Sequence, residues 1–363
     1  MTEATFIPKP YTKTLRQGNV SFKAPSNIAL VKYWGKYGEQ LPMNASISFT
    51  LSSSCTTTTL SFSKTETEDF KFEVYLDGKR TESFEPKILK FFERIEVYLP
   101  FLKHYKFKIE TSNSFPHSSG IASSASGMSA LALCLMSVER ALSSSNMSDD
   151  FFNQKASFLA RLGSGSACRS IEGDLVVWGE HAKITGSSNL FGIKYPFEVH
   201  ERFKNFQDTI LLVDKGEKQV SSTVGHNLML NHPFAEQRFH QANDNLSKLI
   251  PVLKNGDLPA FIEIVETEAL SLHAMMLTSQ PNFILMKPNT LEIINRIWSF
   301  RKDSQLNICF TLDAGANVHV LYPESEKAPI CDFIKQELVS FCKNEEFILD
   351  QAGFGASLME IST

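Results

Sequence analysis

The chain of 363 residues has six cysteines and nine histidines but no C-x-x-C pair, no H-E-x-x-H and no other zinc-type spacing. That argues against a structural zinc site, and the scattered Cys55, Cys134, Cys168, Cys309, Cys331 and Cys342 fit free thiols in a reducing cytoplasm. No apolar core follows Met1 and no uninterrupted apolar run is long enough to cross a bilayer, so neither a secretory leader nor membrane insertion is expected. An excess of positive charge is missing too. Lys and Arg number 36 against 40 Asp and Glu, a formal net charge of -4, which leaves no global basic field for nucleic acid. Any anionic ligand must therefore meet locally placed cations. The P-loop G-x-x-x-x-G-K-[ST] is absent and no G-x-G-x-x-G follows a strand, so neither common nucleotide fold is supported.

What is present is enough apolar content, 42%, over a length too great for one ordinary core, which predicts two lobes. Residues 1–20 read as a polar, extended lead-in whose end joins the first strand. Period-two alternation marks strands at Thr56–Phe62 and at Phe70–Phe84 across the Asp77-Gly78 turn. Pro86 opens a helix with Ile88, Leu89, Phe92, Ile95 and Leu99 at helical spacing, and Tyr105–Thr111 reads as a strand. Met128–Leu142 is apolar on nearly every side and reads as a buried helix, followed by a second helix at Phe151–Leu162. The pattern changes after about residue 195, which divides the chain into lobes 1–195 and 196–363. Beyond it come a strand at Thr209–Asp214, a basic turn at Lys215–Lys218, and mostly helices through Arg301, with Asn289-Thr290 as a helix start. Two strands then flank Asp313-Ala314-Gly315-Ala316-Asn317, and a helix at Cys331–Cys342 with a strand at Ser357–Ile361 completes an α+β chain.

Three stretches carry chemistry. Pro116-His117-Ser118-Ser119-Gly120-Ile121-Ala122-Ser123-Ser124-Ala125-Ser126-Gly127 runs straight into the buried helix, and small residues at a helix start let backbone N–H groups approach an anion. By itself the stretch serves equally well as a tight strand-to-helix connection. A second small-residue run, Gly163-Ser164-Gly165-Ser166-Ala167-Cys168-Arg169-Ser170, adds a guanidinium, and two such loops suggest one shared polyanion. Ala24 to Lys36 places Lys32 and Lys36 four residues apart around Tyr33 and Trp34, a pattern expected of a surface-edged helix with core aromatics. Asp313 alone would be an ordinary turn residue.

Taken together, these pieces resemble the diphosphomevalonate decarboxylases of the GHMP kinase superfamily. The resemblance spans nearly the whole chain: Ala29-Leu30-Val31-Lys32-Tyr33-Trp34-Gly35-Lys36, Asn44-Ala45-Ser46-Ile47-Ser48, Phe115 through Gly127, Gly163 through Ser170, Val220-Ser221-Ser222-Thr223, and Thr311 through Asn317. It implies a two-lobed GHMP kinase fold with the active site in the interlobe cleft. The implied activity is ATP-dependent and needs Mg²⁺: phosphorylation of the 3-hydroxyl of mevalonate 5-diphosphate, then loss of phosphate and CO₂ to give isopentenyl diphosphate. Resemblance assigns Asp313, Lys32 and Arg169 to catalysis, with Arg169 on the substrate carboxylate, and Tyr33, Lys36, Ser164 and Ser166 to substrate contacts. It assigns Ser118, Ser119, Gly120, Ala122, Ser123 and Ser124 to the ATP phosphates, with Ser124 nearest the metal, and it implies a homodimer. His117 and His226 stand where relatives commonly carry Thr and Met. Rival readings are action on mevalonate 5-phosphate, 3-phosphorylation of mevalonate without decarboxylation, and a non-catalytic ATP-binding regulator.

Overall fold

Two long antiparallel strands, Gln17–Val31 and Ser46–Lys64, form the spine of an eight-stranded sheet in a computed structural model that describes residues 1–116, 121–143, 146–214 and 222–362. Ser46–Lys64 changes neighbour along its length. Its first residues pair with Leu175–Trp178 and its last with Tyr105–Asn113, so one strand carries the chain from the cleft end of the lobe to its outer end. The register between the two long strands shifts at Pro25/Asn27 and again at Ala29/Val31. Such bulges bend a strand and re-aim side chains, and these fall just before Asn27 and Lys32 turn toward the cleft.

Helices α1 (Glu85–Ile95), α2 (Ser123–Leu142) and α3 (Asp149–Gly163) share a core with this sheet that includes Phe22, Leu60, Phe92, Phe107, Leu131 and Phe158. Among the described residues, α2 alone is long and apolar enough to span a membrane, but 83% of its apolar stretch is buried inside the protein, as expected of a core helix. The second lobe holds α4 (Ser222–Asn227), α5 (Ala235–Asn255), α6 (Leu258–Leu277), α7 (Pro288–Ser304) and α8 (Lys327–Phe333). They accompany an antiparallel sheet ordered Cys309–Leu312, Val318–Tyr322, Gln207–Leu211, Phe347–Gln351. A shared apolar cluster joins the lobes, setting Ile28, Leu30 and Phe49 against Phe206, Leu246 and Phe261. The last strand, Ser357–Ser362, returns to the first sheet and pairs with Gln17–Val31, so a cut after residue 195 divides the chain but not the sheet.

Several local expectations need correction. Ala24–Lys36 is not helical: the strand runs to Val31, because its apolar residues are buried on both faces and its backbone pairs with Ser46–Lys64. A short apolar run of this kind has no period that separates a buried strand from a buried helix. The strands expected at Phe70–Phe84 do turn at Asp77-Gly78, pairing Lys71–Leu76 with Lys79–Arg80, but the second is short and gives way to a 3₁₀ turn at Glu82–Phe84. The helix expected at Cys331–Cys342 begins earlier, at Lys327, and loosens after Phe333 into a wider π turn and a 3₁₀ turn. Near the N-terminus, Glu3–Phe6 forms a 3₁₀ turn that buries Phe6 against Phe158 and Phe191. The basic turn at 215–218 lies outside the described residues.

Candidate active site

A cavity of about 390 Å³ opens where the long strands, α2, the 164–170 turn and the loop after Cys309–Leu312 converge. It is lined by Lys32, Tyr33, Lys36, Ala122, Ser124, Ser164, Ser166, Arg169 and Asp313, positions that lie as far as 281 residues apart in sequence. Ser123 sits beside it, in an adjoining cavity. Ser118, Ser119, Gly120 and His117 lie outside the described residues, as do Val220 and Ser221.

Lys32 Nζ stands 3.3 Å from Asp313 Oδ1, with the lysine buried and the aspartate side chain 31% exposed to the cleft. Burial pulls the Lys32 pKa below the usual lysine value, against the opposing pull of Asp313. One helix holds both partners. From α6, Glu268 Oε2 accepts the backbone N–H of Lys32 at 2.8 Å, and His273 Nε2 lies 3.1 Å from the carbonyl oxygen of Asp313. Burial lowers the His273 pKa to about 4, so the ring is neutral and donates from Nε2. Glu268 is itself fully buried and accepts a two-pronged bond from Arg238 and one from Asn245.

Arg169 is 3% exposed, yet among the described residues its hydrogen-bond partners are neutral: Nη1 donates to Ser46 Oγ, and Nε to Asn27 Oδ1 at 3.4 Å. The guanidinium also lies 5.9 Å from the centre of the Trp178 ring. Burial lowers its pKa. A buried cation held only by neutral groups still favours an anion, and a guanidinium fork matches a carboxylate. Asn27 is fixed in turn by Ser170 Oγ at 2.8 Å, which is the service the bulge at Pro25/Asn27 provides.

Tyr33 lies between Trp178 and His226, with ring centroids 4.6 and 4.3 Å away, and its buried hydroxyl has no protein partner among the described residues. Burial pushes its pKa well up, so it is a neutral donor. Lys36 Nζ reaches Gln40 Oε1 at 3.0 Å at the cleft edge.

The phosphate-type features meet on the other side. Ser123 and Ser124 start α2, five residues before the expected helix start at Met128 and so inside the expected loop, after Ala122 in the left-handed region at φ 43°. Among the described residues no side chain caps this helix end, which leaves its first N–H groups and the positive end of the dipole beside the cleft that Ala122 and Ser124 line. Ser124 Oγ lies 3.4 Å from Ser164 Oγ, which brings the two small-residue loops into contact. Beyond Ser124 lies a second cavity of about 240 Å³ with apolar walls from Val74, Leu76, Ile88, Ile109, Met128 and Leu131; Lys87 lines both cavities.

Glu268, His273, Arg238 and Lys87 belong to none of the sequence motifs, and Asn44 and Ser46 lie in one that assigns them no role. Asn44 Nδ2 donates to the Lys32 carbonyl at 2.9 Å. Glu268 did leave a signal: three acids, Glu263, Glu266 and Glu268, interrupt an otherwise apolar helix, and a carboxylate on a buried face needs a partner.

A two-lobed α+β chain with an uncapped helix end and a Lys–Asp pair facing across an interlobe cleft has the GHMP kinase type of fold. Comparison with known proteins narrows this. Residues 24–189 match the family described as diphosphomevalonate decarboxylase-like N-terminal domain, and residues 209–358 the mevalonate 5-diphosphate decarboxylase C-terminal domain. A diphosphomevalonate decarboxylase from Gibberella zeae is 30% identical over 321 residues, covering 84% of this chain and 81% of its own. The crystal structure of mevalonate diphosphate decarboxylase from Staphylococcus aureus is 27% identical with a TM-score of 0.80, covering 95% of this chain and 98% of its own. A structure of MDDEF in complex with MVAPP, AMPPCP and magnesium is 29% identical, also with a TM-score of 0.80, covering 95% of this chain and 99% of its own. The chain belongs to the diphosphomevalonate decarboxylase family.

Proposed function

We propose that this chain catalyses the ATP-dependent decarboxylation of mevalonate 5-diphosphate to isopentenyl diphosphate, ADP, phosphate and CO₂. The observation that carries the reading is the single cavity in which the Lys32–Asp313 pair, the buried Arg169 and the two Ser-Gly loops meet. A regulator that only bound ATP would have no use for a buried, anion-seeking arginine beside a lysine–carboxylate pair.

The residues fit Mg-ATP. Among the described residues no three His, Cys, Asp or Glu side chains cluster, so an all-protein metal cage is not offered; Mg²⁺ is commonly held through substrate phosphates with few protein ligands, and the Ser124 hydroxyl suits that role. The uncapped start of α2, with Ala122, Ser123 and Ser124, would take the phosphates, together with Ser118, Ser119 and Gly120 in our assignment. The apolar second cavity beyond Ser124 is the place we assign to the adenine. When bound, Mg-ATP supplies the phosphoryl group that turns a tertiary hydroxyl into a leaving group.

The chain's own groups do the rest. Asp313 takes or orients the proton of the 3-hydroxyl, and its negative charge favours the electron-poor centre that develops as the 3-phosphate departs. Lys32, anchored by Glu268, keeps Asp313 in place and offsets charge on the transferring group. Arg169 grips the carboxylate and holds the C–C bond for cleavage, with Ser164, Ser166 and Tyr33 as further donors and Lys36 toward the diphosphate. We also assign the protein to the cytoplasm, which its six free thiols support, and to a homodimer. The working division is an N-terminal lobe 1–195 and a C-terminal lobe 196–363, with the last strand returning to the first sheet.

The test offers the purified protein Mg-ATP with mevalonate 5-diphosphate, mevalonate 5-phosphate or mevalonate, and measures ADP and CO₂ separately. Equal amounts of both from the diphosphate, and no comparable rate from the others, is the expected result. ADP without CO₂ would mean a kinase only, and a higher kcat/KM for the monophosphate would overturn the substrate assignment. A pH profile adds a second check. Lys32 acts as a cation, and burial lowers its pKa, so its contribution is complete below that pKa and lost as pH rises through it. The alkaline limb of kcat/KM is expected below the ordinary lysine value of about 10.4; a limb at or above that value would remove Lys32 from the charged machinery.

A further inference from the structure

One cleft residue has no place in the mechanism above. His226, on α4, is 8% exposed, lines the cleft, and lies against Tyr33 and Trp34 with ring centroids 4.3 and 4.6 Å away. Its Nδ1 accepts the backbone N–H of Gly35 at 3.0 Å. A backbone N–H can only donate, so Nδ1 carries no proton, and the neutral ring must carry it on Nε2. Burial agrees, lowering the pKa to about 3, with Lys36 and Arg169 adding to the effect. Among the described residues no protein group is hydrogen-bonded to Nε2, so a donor of fixed orientation is left without a protein acceptor in a cleft where the Tyr33 hydroxyl also has none.

We propose that His226 is a substrate-binding residue whose Nε2–H donates a hydrogen bond to the diphosphate of the bound substrate. Three observations favour the diphosphate over the carboxylate. The ring is tied to the Gly35 peptide, and the next residue is Lys36, the cation at the cleft edge. Of the cleft cations acting on the ring, Lys36 acts more strongly than Arg169. Arg169 already offers the planar fork a carboxylate prefers. A neutral N–H is a useful addition beside Lys36: it binds phosphate oxygen without the repulsion a second adjacent cation would bring, and its direction is set before substrate arrives. The assignment rests on the proposed activity for the identity of the substrate, but not for the presence of an anion.

Two substitutions separate this role from a structural one. His226→Asn keeps an oxygen near the Nδ1 position to accept from Gly35 and removes the outer donor. His226→Gln carries an amide N–H toward the Nε2 position. The expected result for Asn is a rise of about tenfold or more in KM for mevalonate 5-diphosphate, the usual scale for one hydrogen bond to a charged group, with kcat within about threefold and an unchanged Tm. Gln is expected to recover most of the KM. Inorganic diphosphate, used as a competitive inhibitor or titrated calorimetrically, should weaken in parallel with the KM of the Asn variant. The proposal is overturned by an Asn variant with wild-type KM, by equal losses in Asn and Gln accompanied by a lower Tm, or by a raised KM with diphosphate binding untouched. If the wild-type protein fails to turn over mevalonate 5-diphosphate, the activity assignment falls instead, and binding of inorganic diphosphate to the wild-type protein and both variants still decides the role of His226.

Discussion

Replacing Asp313 by Asn is expected to lower kcat by about 10⁴ while leaving the fold and nucleotide binding intact, the scale seen when a buried catalytic carboxylate is made an isosteric amide. The amide keeps the shape of the carboxylate and loses its charge. Asn fills the same volume and retains an oxygen for Lys32, so the loop between Cys309–Leu312 and Val318–Tyr322 stays in place, with the backbone carbonyl of residue 313 still held by His273. It loses the negative charge and can no longer take a proton from a hydroxyl. Both of the roles assigned to Asp313 therefore disappear together, whereas a merely structural carboxylate would cost stability and little rate. The measurement is single-turnover release of ADP and CO₂, alongside calorimetric binding of a non-hydrolysable ATP analogue. A loss of less than about tenfold with normal binding would take Asp313 out of the chemistry. If ADP still forms at a good rate and only CO₂ is lost, the carboxylate serves the second step and not the first.

How far this site could be read without coordinates depended on where its parts sit. Arg169, Ser164 and Asp313 lie in small-residue loops whose composition already pointed to ligand approach, and the structure brings them to one cavity. Lys32 was legible as a cation near aromatics, but its setting was not. Ile28 to Val31 is apolar throughout and buried, and no periodicity in four residues tells a buried strand from a buried helix. Only pairing with Ser46–Lys64, set by tertiary contact, decides it. The supports for Lys32 and Asp313 were less visible still. Glu268 and His273 lie five residues apart on α6, 40 or more residues before Asp313 and more than 230 after Lys32, and what recruits them is burial with no local motif. The same holds for Lys87, on a helix whose sequence shows only its core face.

Glu268→Ala carries the second large expectation: a loss of about 3–5 kcal/mol in stability, or roughly 4–7 °C in Tm, together with a fall in kcat although Glu268 touches no substrate. Glu268 accepts four hydrogen bonds, two from Arg238 at 3.1 and 2.5 Å, one from Asn245 at 2.7 Å and one from the Lys32 backbone at 2.8 Å. That fills the lone-pair sites of both oxygens. Removing the carboxylate leaves Arg238 as an uncompensated buried charge and orphans the N–H that positions Lys32, and each is costly for a separate reason. The two costs can be pulled apart. A double change of Arg238 and Glu268 to Met removes the stranded charge, so much of the stability should return, since an apolar pair of similar volume can replace a buried ion pair at little cost. The Lys32 N–H remains without its acceptor, so the rate should stay low. Glu268→Gln should fall between, because its amide turns an N–H toward groups that are all donors. Thermal melting and kcat measured on the same preparations test this: recovery of both in the double variant would make Glu268 a stability element alone, whereas recovery of Tm without rate ties the buried network to the position of Lys32.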